Sequence, residues 1–303
     1  MDYTKISKKN WLTHCYYHCA GTGILVLNKI RHEVKGYLTP RTFSTLDLEK
    51  VIDYDIKVVN DWLEQLKKYC QNNDITNLNI LELGPGADLG VGLNFLARGA
   101  NRYFALDKFK LIDQASSELY DKFINTIATD EKQKNYLEKE IGLFKNNQTG
   151  KIQYIADKKF SLQHFLDKKI DLIVSQAAFE HFVDPAQVIK EIGQISKSGT
   201  KVVIQIDMMT HSRWIKDVDP QNIYRYSNIF YQLTKFLGSP NRWRPNDYVT
   251  EFNKAGFGKI KIVPITVLQD DYIDNLTPHL NKQFRKKEKQ MEILDCYLLA
   301  TKE

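Results

Sequence analysis

The chain has 303 residues, 43% of them hydrophobic and 26% charged, the makeup of a globular protein of one large domain or two smaller ones with a sizeable core. Four cysteines are too few for a disulfide framework in a chain this long, and the strongest apolar run near the N-terminus, Ile24-Leu25-Val26-Leu27, is too short to span a bilayer; a cytoplasmic protein without a membrane span is expected. The net charge of +6, from 43 basic against 37 acidic residues, is scattered, and its densest cluster, Arg285-Lys286-Lys287 with Lys289, falls in a polar connection, so nucleic acid is not expected as a partner.

Residues 1–72 read as a helical N-terminal extension or lid, and 73–303 as the main domain. In the extension, His14, Cys15, His18 and Cys19 recur four residues apart, but adjacent residues on one helix point about 100° apart, so the four cannot easily converge on a zinc ion. From Asp47 to Leu66 the apolar residues Leu48, Val51, Ile52, Ile56, Val59, Trp62 and Leu66 form a helical stripe.

The segment Asn79-Ile-Leu-Glu-Leu-Gly-Pro-Gly86 then joins a buried strand to a glycine turn and a helix over 91–98. Gly84 and Gly86 permit positive φ and close approach of a ligand to backbone, and the free N–H groups of the helix start point back at the loop. Arg102 to Leu106 reads as a second strand, with Asp107 at its tip placed to accept ribose hydroxyls. Ile152 to Ile155 is a third strand, leading into Ala156-Asp157. Asp171 to Ser175 is a fourth, followed by Gln176-Ala-Ala-Phe-Glu-His181 and an amphipathic helix over Ala186 to Ile195, which the glycine of Lys197-Ser-Gly-Thr200 should end.

After a fifth strand, Lys201 to Gln205, an insertion near 207–245 mixes aromatics, arginines and amides. A helix opening at Arg244-Pro245 with Gly256 past its end, a strand over Lys259 to Val263 and a last strand over Glu292 to Thr301 complete the chain. Such alternation of strands and helices predicts a largely parallel sheet covered on both faces.

The glycine pattern separates two cofactors. A dinucleotide fingerprint wants a third glycine where this chain has Leu89, which disfavours a nicotinamide-dependent oxidoreductase, and it needs no carboxylate inside the first strand, where this chain has Glu82. With Glu82, Gly84, Gly86 and Asp107 in place, the chain resembles the class I S-adenosylmethionine (SAM) dependent methyltransferases, whose first motif reads acidic-x-Gly-x-Gly and whose second strand ends in an acid. By motif order the resemblance runs from Asn79 to Thr301. It implies an α/β fold, a Rossmann-like seven-stranded, mostly parallel sheet with an antiparallel last strand, plus the N-terminal helical extension.

It also implies roles. Gly84 and Gly86 should line the methionine and ribose of SAM, with Asp107 on the ribose hydroxyls and Asp157 on the adenine amine; Ser175 and Gln176 should lie near the methionine tail, and Glu82 should touch the cofactor or order the loop. His181 and His211, at the edge where open α/β sheets bind ligands, are the candidate catalytic bases. No metal is expected, because catechol-type O-methylation wants aspartate where the fourth strand ends in Ser175 and Gln176; separately, the absence there of the Asn/Asp-Pro-Pro-aromatic signature argues against the amino methyltransferases of DNA and some proteins. Arg213, Trp214, Tyr224, Tyr226 and Arg242 are expected to recognise the acceptor, as stacking rings and arginine forks suit a polar or anionic organic molecule. The expected activity is methyl transfer to oxygen of a small molecule or glycan precursor, leaving S-adenosylhomocysteine; the alternative from another class is a SAM-binding or partner-binding protein without transfer activity. The sequence leaves the oligomeric state open.

Overall fold

The computed structural model describes residues 6–36 and 47–303; residues 1–5 and 37–46 of the expected N-terminal extension lie outside the described residues. One sheet holds seven strands, β1 (Asn79–Leu83), β2 (Arg102–Asp107), β3 (Ile152–Ala156), β4 (Ile170–Gln176), β5 (Ser196–Asp207), β6 (Phe257–Val267) and β7 (Ile293–Lys302), in the order β3-β2-β1-β4-β5-β7-β6. The strands β1 to β5 pair in parallel, and β7 lies antiparallel between β5 and β6. This is the expected Rossmann-like sheet. Its order runs outward from β1 in one direction and from β4 in the other, so a crevice opens between the carboxyl ends of these two strands.

Strands buried on both faces read as near-continuous apolar runs, and β1 shows why: Ile80 packs on one face and Leu81 and Leu83 on the other, all fully buried. On the first face lie α2 (Leu48–Cys70), α3 (Gly90–Ala97), α4 (Ser117–Ile127) and α5 (Glu131–Lys145); on the second, α6 (Pro185–Ile195) and α8 (Pro245–Lys254). The stripe predicted for α2 is its buried side, with Val51, Ile52, Val59, Trp62 and Leu66 in the core and Trp62 stacked on Phe95 of α3 at 6.1 Å. No helix among the described residues is long and apolar enough to cross a membrane.

One boundary differs from expectation. The helix α6 ends at Ile195 and β5 begins at once, so Gly199 ends no helix and instead sits inside the strand at φ 88°. There the pairing with β4 shifts register between Ile170 and Leu172, and Thr200 Oγ1 ties the irregular stretch down by donating to Ile170 O at 2.8 Å.

A third apolar cluster stands beside the sheet. It joins the segment after β5, including α7 (Asn228–Thr234), to α9 (Asp270–Leu276) and the stretch before β7, and Leu25 of α1 (Trp11–Lys35) packs against it. Two groups anchor α1 there: Asn222 Nδ2 donates to Tyr17 O at 3.0 Å and the Tyr226 hydroxyl to His18 O at 2.9 Å. Beneath them the buried Arg225 and Asp219 pair at 2.7 Å. Of the four spaced histidines and cysteines, His14 and His18 take part in this docking, His18 with its ring 4.9 Å from that of Tyr226. His14 is buried, stacked on His279 at 3.9 Å and bonded through Nε2 to Asn275, while Cys19 is exposed.

The close approach of α1 depends on Gly21, where a Cβ would lie 2.1 Å from Asn222 Oδ1 and 2.3 Å from the Tyr226 hydroxyl, whereas one at Gly23 would meet nothing within 4 Å. We predict opposite signs for the two alanine substitutions. In urea unfolding Gly23→Ala gains roughly 0.5–1 kcal/mol from backbone entropy, and Gly21→Ala loses roughly 1–3 kcal/mol to overpacking. Equal effects at the two sites would contradict the docking of α1.

Glu82 supplies a second prediction. Burial, offset in part by a hydrogen bond from the Tyr103 hydroxyl, pushes its carboxyl up to about 8. An acid whose folded value is raised costs nothing below its unfolded value near 4.5, and stability falls as pH rises from there to about 8. Glu82→Gln should therefore match wild type near pH 5 and unfold at least roughly 2–4 °C higher at pH 8.5, given about 1 kcal/mol or more of relief. Parallel melting curves for the two proteins across that range would contradict it.

Candidate active site

A cavity of about 720 Å³ occupies the crevice between β1 and β4. Gly84 and Gly86, Asp107 to Phe109, Lys158 to Phe160, and Gln176 to Ala178 form its floor and one wall. The other wall is His181, Phe182, His211, Arg213 and the segment Phe236-Leu237-Gly238, with His32 of α1 reaching in and stacking on Phe236 at 3.8 Å. Backbone at strand ends lines it because the sheet gives up its ladder there.

The glycine loop has the conformation that its residues allow. Gly84 and Gly86 adopt φ of 78° and 82°, values that a side chain would strain, and a Cβ on Gly84 would lie 2.7 Å from Ala178 Cβ. The loop is tethered to β2: Gly84 N donates to Leu106 O at 2.9 Å, and Gly86 N to Asp107 Oδ2 at 3.2 Å. Asp107 Oδ1 accepts from Lys108 N at 2.6 Å and Phe109 N at 3.4 Å. Burial raises the Asp107 carboxyl, and these three backbone bonds pull it back. Its orientation is thus fixed before any ligand arrives.

Behind the loop, Asp88 Oδ1 accepts from Gly90 N at 2.9 Å and satisfies one of the free amides at the start of α3. Asp55 of α2 lies against Asp88, and burial, then this neighbour, holds the Asp55 carboxyl well above its ordinary value. Neither acid stood out in the sequence. Only the packing of α2 behind the loop brings the two together.

Other expected residues sit behind the cavity wall. Glu82 is directed into the core, bonded to Tyr103. Ser175 is fully buried and donates to Leu83 O at 2.7 Å, bridging β4 to β1. The Asp157 carboxylate turns into its own loop, accepting from Lys159 N at 3.0 Å and Ser161 N at 3.1 Å, so Lys158 to Phe160 face the cavity there. Gln176 does line the cavity, its amide donating to Gln205 Oε1 at 2.8 Å while its own Oε1 is buried without a partner.

His181 and His211 lie together across the cavity, ring centroids 4.8 Å apart and planes at 90°. His181 Nδ1 donates to Gly238 O at 2.7 Å, and His211 Nδ1 to Met209 O at 2.9 Å; a carbonyl can only accept, so both protons are on Nδ1 and both Nε2 atoms present lone pairs. Burial, then the neighbouring His211, holds His181 down to about 4, and burial lowers His211 as well.

Among the residues expected to meet the acceptor, Arg213 is at the cavity and the others are elsewhere. Trp214 projects outward, 87% exposed. Tyr224 is buried and donates to Met208 O at 2.8 Å, and Tyr226 holds α1. Arg242 is buried over the Tyr231 ring at 4.1 Å and donates to Ile223 O and Tyr226 O. These side chains brace the insertion, because a ring or guanidinium inside an apolar cluster must satisfy its polar tip on nearby carbonyls. The segment 236–238, His32 and the aromatic pair Phe160 and Phe182, which the sequence did not single out, form the wall instead.

Residues 81–204, from β1 into β5, match the family described as methyltransferase domain. No curated protein sequence matches the chain. Solved structures similar to it include an S-adenosylmethionine dependent methyltransferase from Mesorhizobium loti, 14% identical with a TM-score of 0.42 over 80% of this chain and 100% of that one. Another is an N-methyltransferase from Haemonchus contortus in complex with phosphomonomethylethanolamine and S-adenosylhomocysteine, 15% identical with a TM-score of 0.43 over 80% of this chain and 53% of that one. The CurJ carbon methyltransferase is 14% identical, with a TM-score of 0.45 over 96% of this chain and 69% of that one. The matched stretch carries the glycine loop, Asp107 and the crevice of the sheet, so over residues 81–204 the chain is similar to methyltransferase domains.

Proposed function

We propose that the enzyme transfers the methyl group of SAM to an oxygen of a small polar acceptor, such as a sugar or glycan precursor. In this reading the ribose hydroxyls bond the Asp107 carboxylate, whose orientation the loop amides set, and the methionine portion runs along Gly84 and Gly86 toward Gln176. Lys158 to Phe160 border the adenine, with Asp157 shaping that turn from behind; Glu82 and Ser175 order the strand ends. The acceptor occupies the other half of the cavity, with Arg213 at hand for an anionic group. The insertion near 207–245 supplies that wall through His211, Arg213 and 236–238, and the N-terminal extension acts as a lid through His32.

The single observation that carries the oxygen reading is the pair of imidazoles, each with Nδ1–H on a backbone carbonyl, that line the acceptor half of the cavity. Methyl transfer is an in-line displacement in which the acceptor oxygen bonds the methyl carbon, the carbon–sulfur bond breaks, and the hydroxyl proton is lost. A histidine that lines this half of the cavity can take the hydroxyl proton, although burial, which lowers both rings, weakens them as bases.

The test is transfer of label from methyl-labelled SAM to a panel of hydroxylated, amino and activated-carbon acceptors, with the products resolved by mass spectrometry. The expected product is a methyl ether, and Asp107→Ala should bind S-adenosylhomocysteine at least roughly tenfold more weakly through loss of charge-assisted bonds. Transfer confined to amines or carbon would refute the oxygen assignment. Unchanged cofactor affinity in the variant would refute the role of Asp107.

A further inference from the structure

The turn after β4 carries an acid that the proposed chemistry leaves unused. Glu180 is 2% exposed, and its carboxylate oxygens have no hydrogen bond of good geometry, only the backbone amides of Glu180 and Asp207 nearby. Facing it are the two histidines, with His181 Nε2 and His211 Nε2 each 3.9 Å from Glu180 Oε1. One ligand atom from each of the three residues falls within 4.8 Å of the others, and among the described residues no other histidine, cysteine or acid group forms such a cluster. Since both Nδ1 protons are committed to backbone carbonyls, an ionised Glu180 and the two Nε2 atoms would confront one another as three acceptors. Such a group needs a cation or a shared proton at its centre.

The donor set fits a cation as well as a shared proton. A metal-ligating histidine offers one ring nitrogen as a lone pair and fixes the other by donation to a carbonyl or carboxylate, which is the arrangement of both rings. The nearby Asp207 is otherwise engaged, accepting from Met209 N at 2.9 Å and Lys216 Nζ at 3.2 Å, so it holds the His211 turn. Metal–nitrogen and metal–oxygen bonds of about 2.0–2.2 Å place ligand atoms roughly 3.3 Å apart, so the three side chains close on an ion by less than about 1 Å each. The sequence looked for a metal ligand at the end of β4, in Ser175 and Gln176, and expected none; the cluster forms one turn later, with a partner from beyond β5.

We propose that Glu180, His181 and His211 hold a divalent first-row transition-metal ion beside the acceptor half of the cavity. Two imidazoles and one carboxylate suit zinc, cobalt or manganese over magnesium or calcium. His181 and His211 line the acceptor half of the cavity, so an ion held by the three residues would supply Lewis acidity at the edge of that space. With both Nε2 atoms serving as ligands the imidazoles would not be the bases, so the acidified hydroxyl would lose its proton to water while its oxygen bonds the methyl carbon and the carbon–sulfur bond breaks. This role rests on the oxygen reading above; the binding of the ion does not.

The experiment is titration of Co²⁺ into the chelator-treated full-length protein, followed by visible absorption, with Zn²⁺ as competitor. Wild type should take up one equivalent with ligand-field bands that Zn²⁺ abolishes. Glu180→Gln and His211→Ala should each weaken binding at least roughly 100-fold, since losing a ligand costs no less than losing a supporting partner. The far-UV circular dichroism of His211→Ala, measured alongside, should match wild type and report that this variant is folded. Bands lost in the variants support the proposal whatever acceptor the enzyme proves to use. No bands in wild type, or equal bands in wild type and His211→Ala, overturn it even where methyl transfer to oxygen is found.

Discussion

The bond from Gly86 N to the Asp107 carboxylate joins the two strand ends on which the rest of the site depends. A glycine turn at the end of β1 is free to take many conformations, and an acid at the end of β2 is free to swing. Tied to each other and to the amides of Lys108 and Phe109, they become one rigid edge. The backing is equally specific. Tyr103 on Glu82 fixes β1 to β2 beneath the loop, and Asp88 caps α3 while α2 closes the space behind it with Asp55. Preorganisation of this kind reduces the cost of binding, because the groups are ordered by folding and not by the ligand.

Around that edge the chain builds two further walls from distant parts of itself. The insertion after β5 is an apolar cluster that cannot rest on the sheet alone, and it is stabilised by burying Tyr224, Arg242 and Arg244 with their polar atoms on carbonyls. The helix α1 docks on the outside of this cluster, and its last turns bring His32 to the cavity. Stability and site geometry are therefore linked: loosening α1 from Asn222 and Tyr226 would open the cavity as well.

What the sequence made legible follows from the range of the interactions. The glycine loop, Asp107 and the strand order rest on short-range turn chemistry and apolar periodicity, and the strands sit where those signals put them, apart from the early start of β5. The directions of Glu82, Ser175 and Asp157 were not legible, because a short polar side chain at a strand end turns to the nearest unsatisfied amide or carbonyl, and that neighbour comes from another strand or the following turn. Aromatic and arginine residues in 207–245 looked like a binding wall by composition. Tyr224, Tyr226 and Arg242 are instead what holds the insertion together, and composition alone cannot tell a ring that stacks on a ligand from one that stacks on the core. The meeting of Glu180 with His211 needed the fold itself, since β4 and β5 become neighbours only in the sheet.

The most direct test of the central claim is a crystal structure of the protein with S-adenosylhomocysteine bound. The account predicts the ribose hydroxyls within hydrogen-bond distance of the Asp107 carboxylate, the adenine beside Lys158 to Phe160, and the sulfur directed toward Gln176 and the histidine pair. A ligand found in any other cavity, or in this one with its ribose away from Asp107, would contradict it.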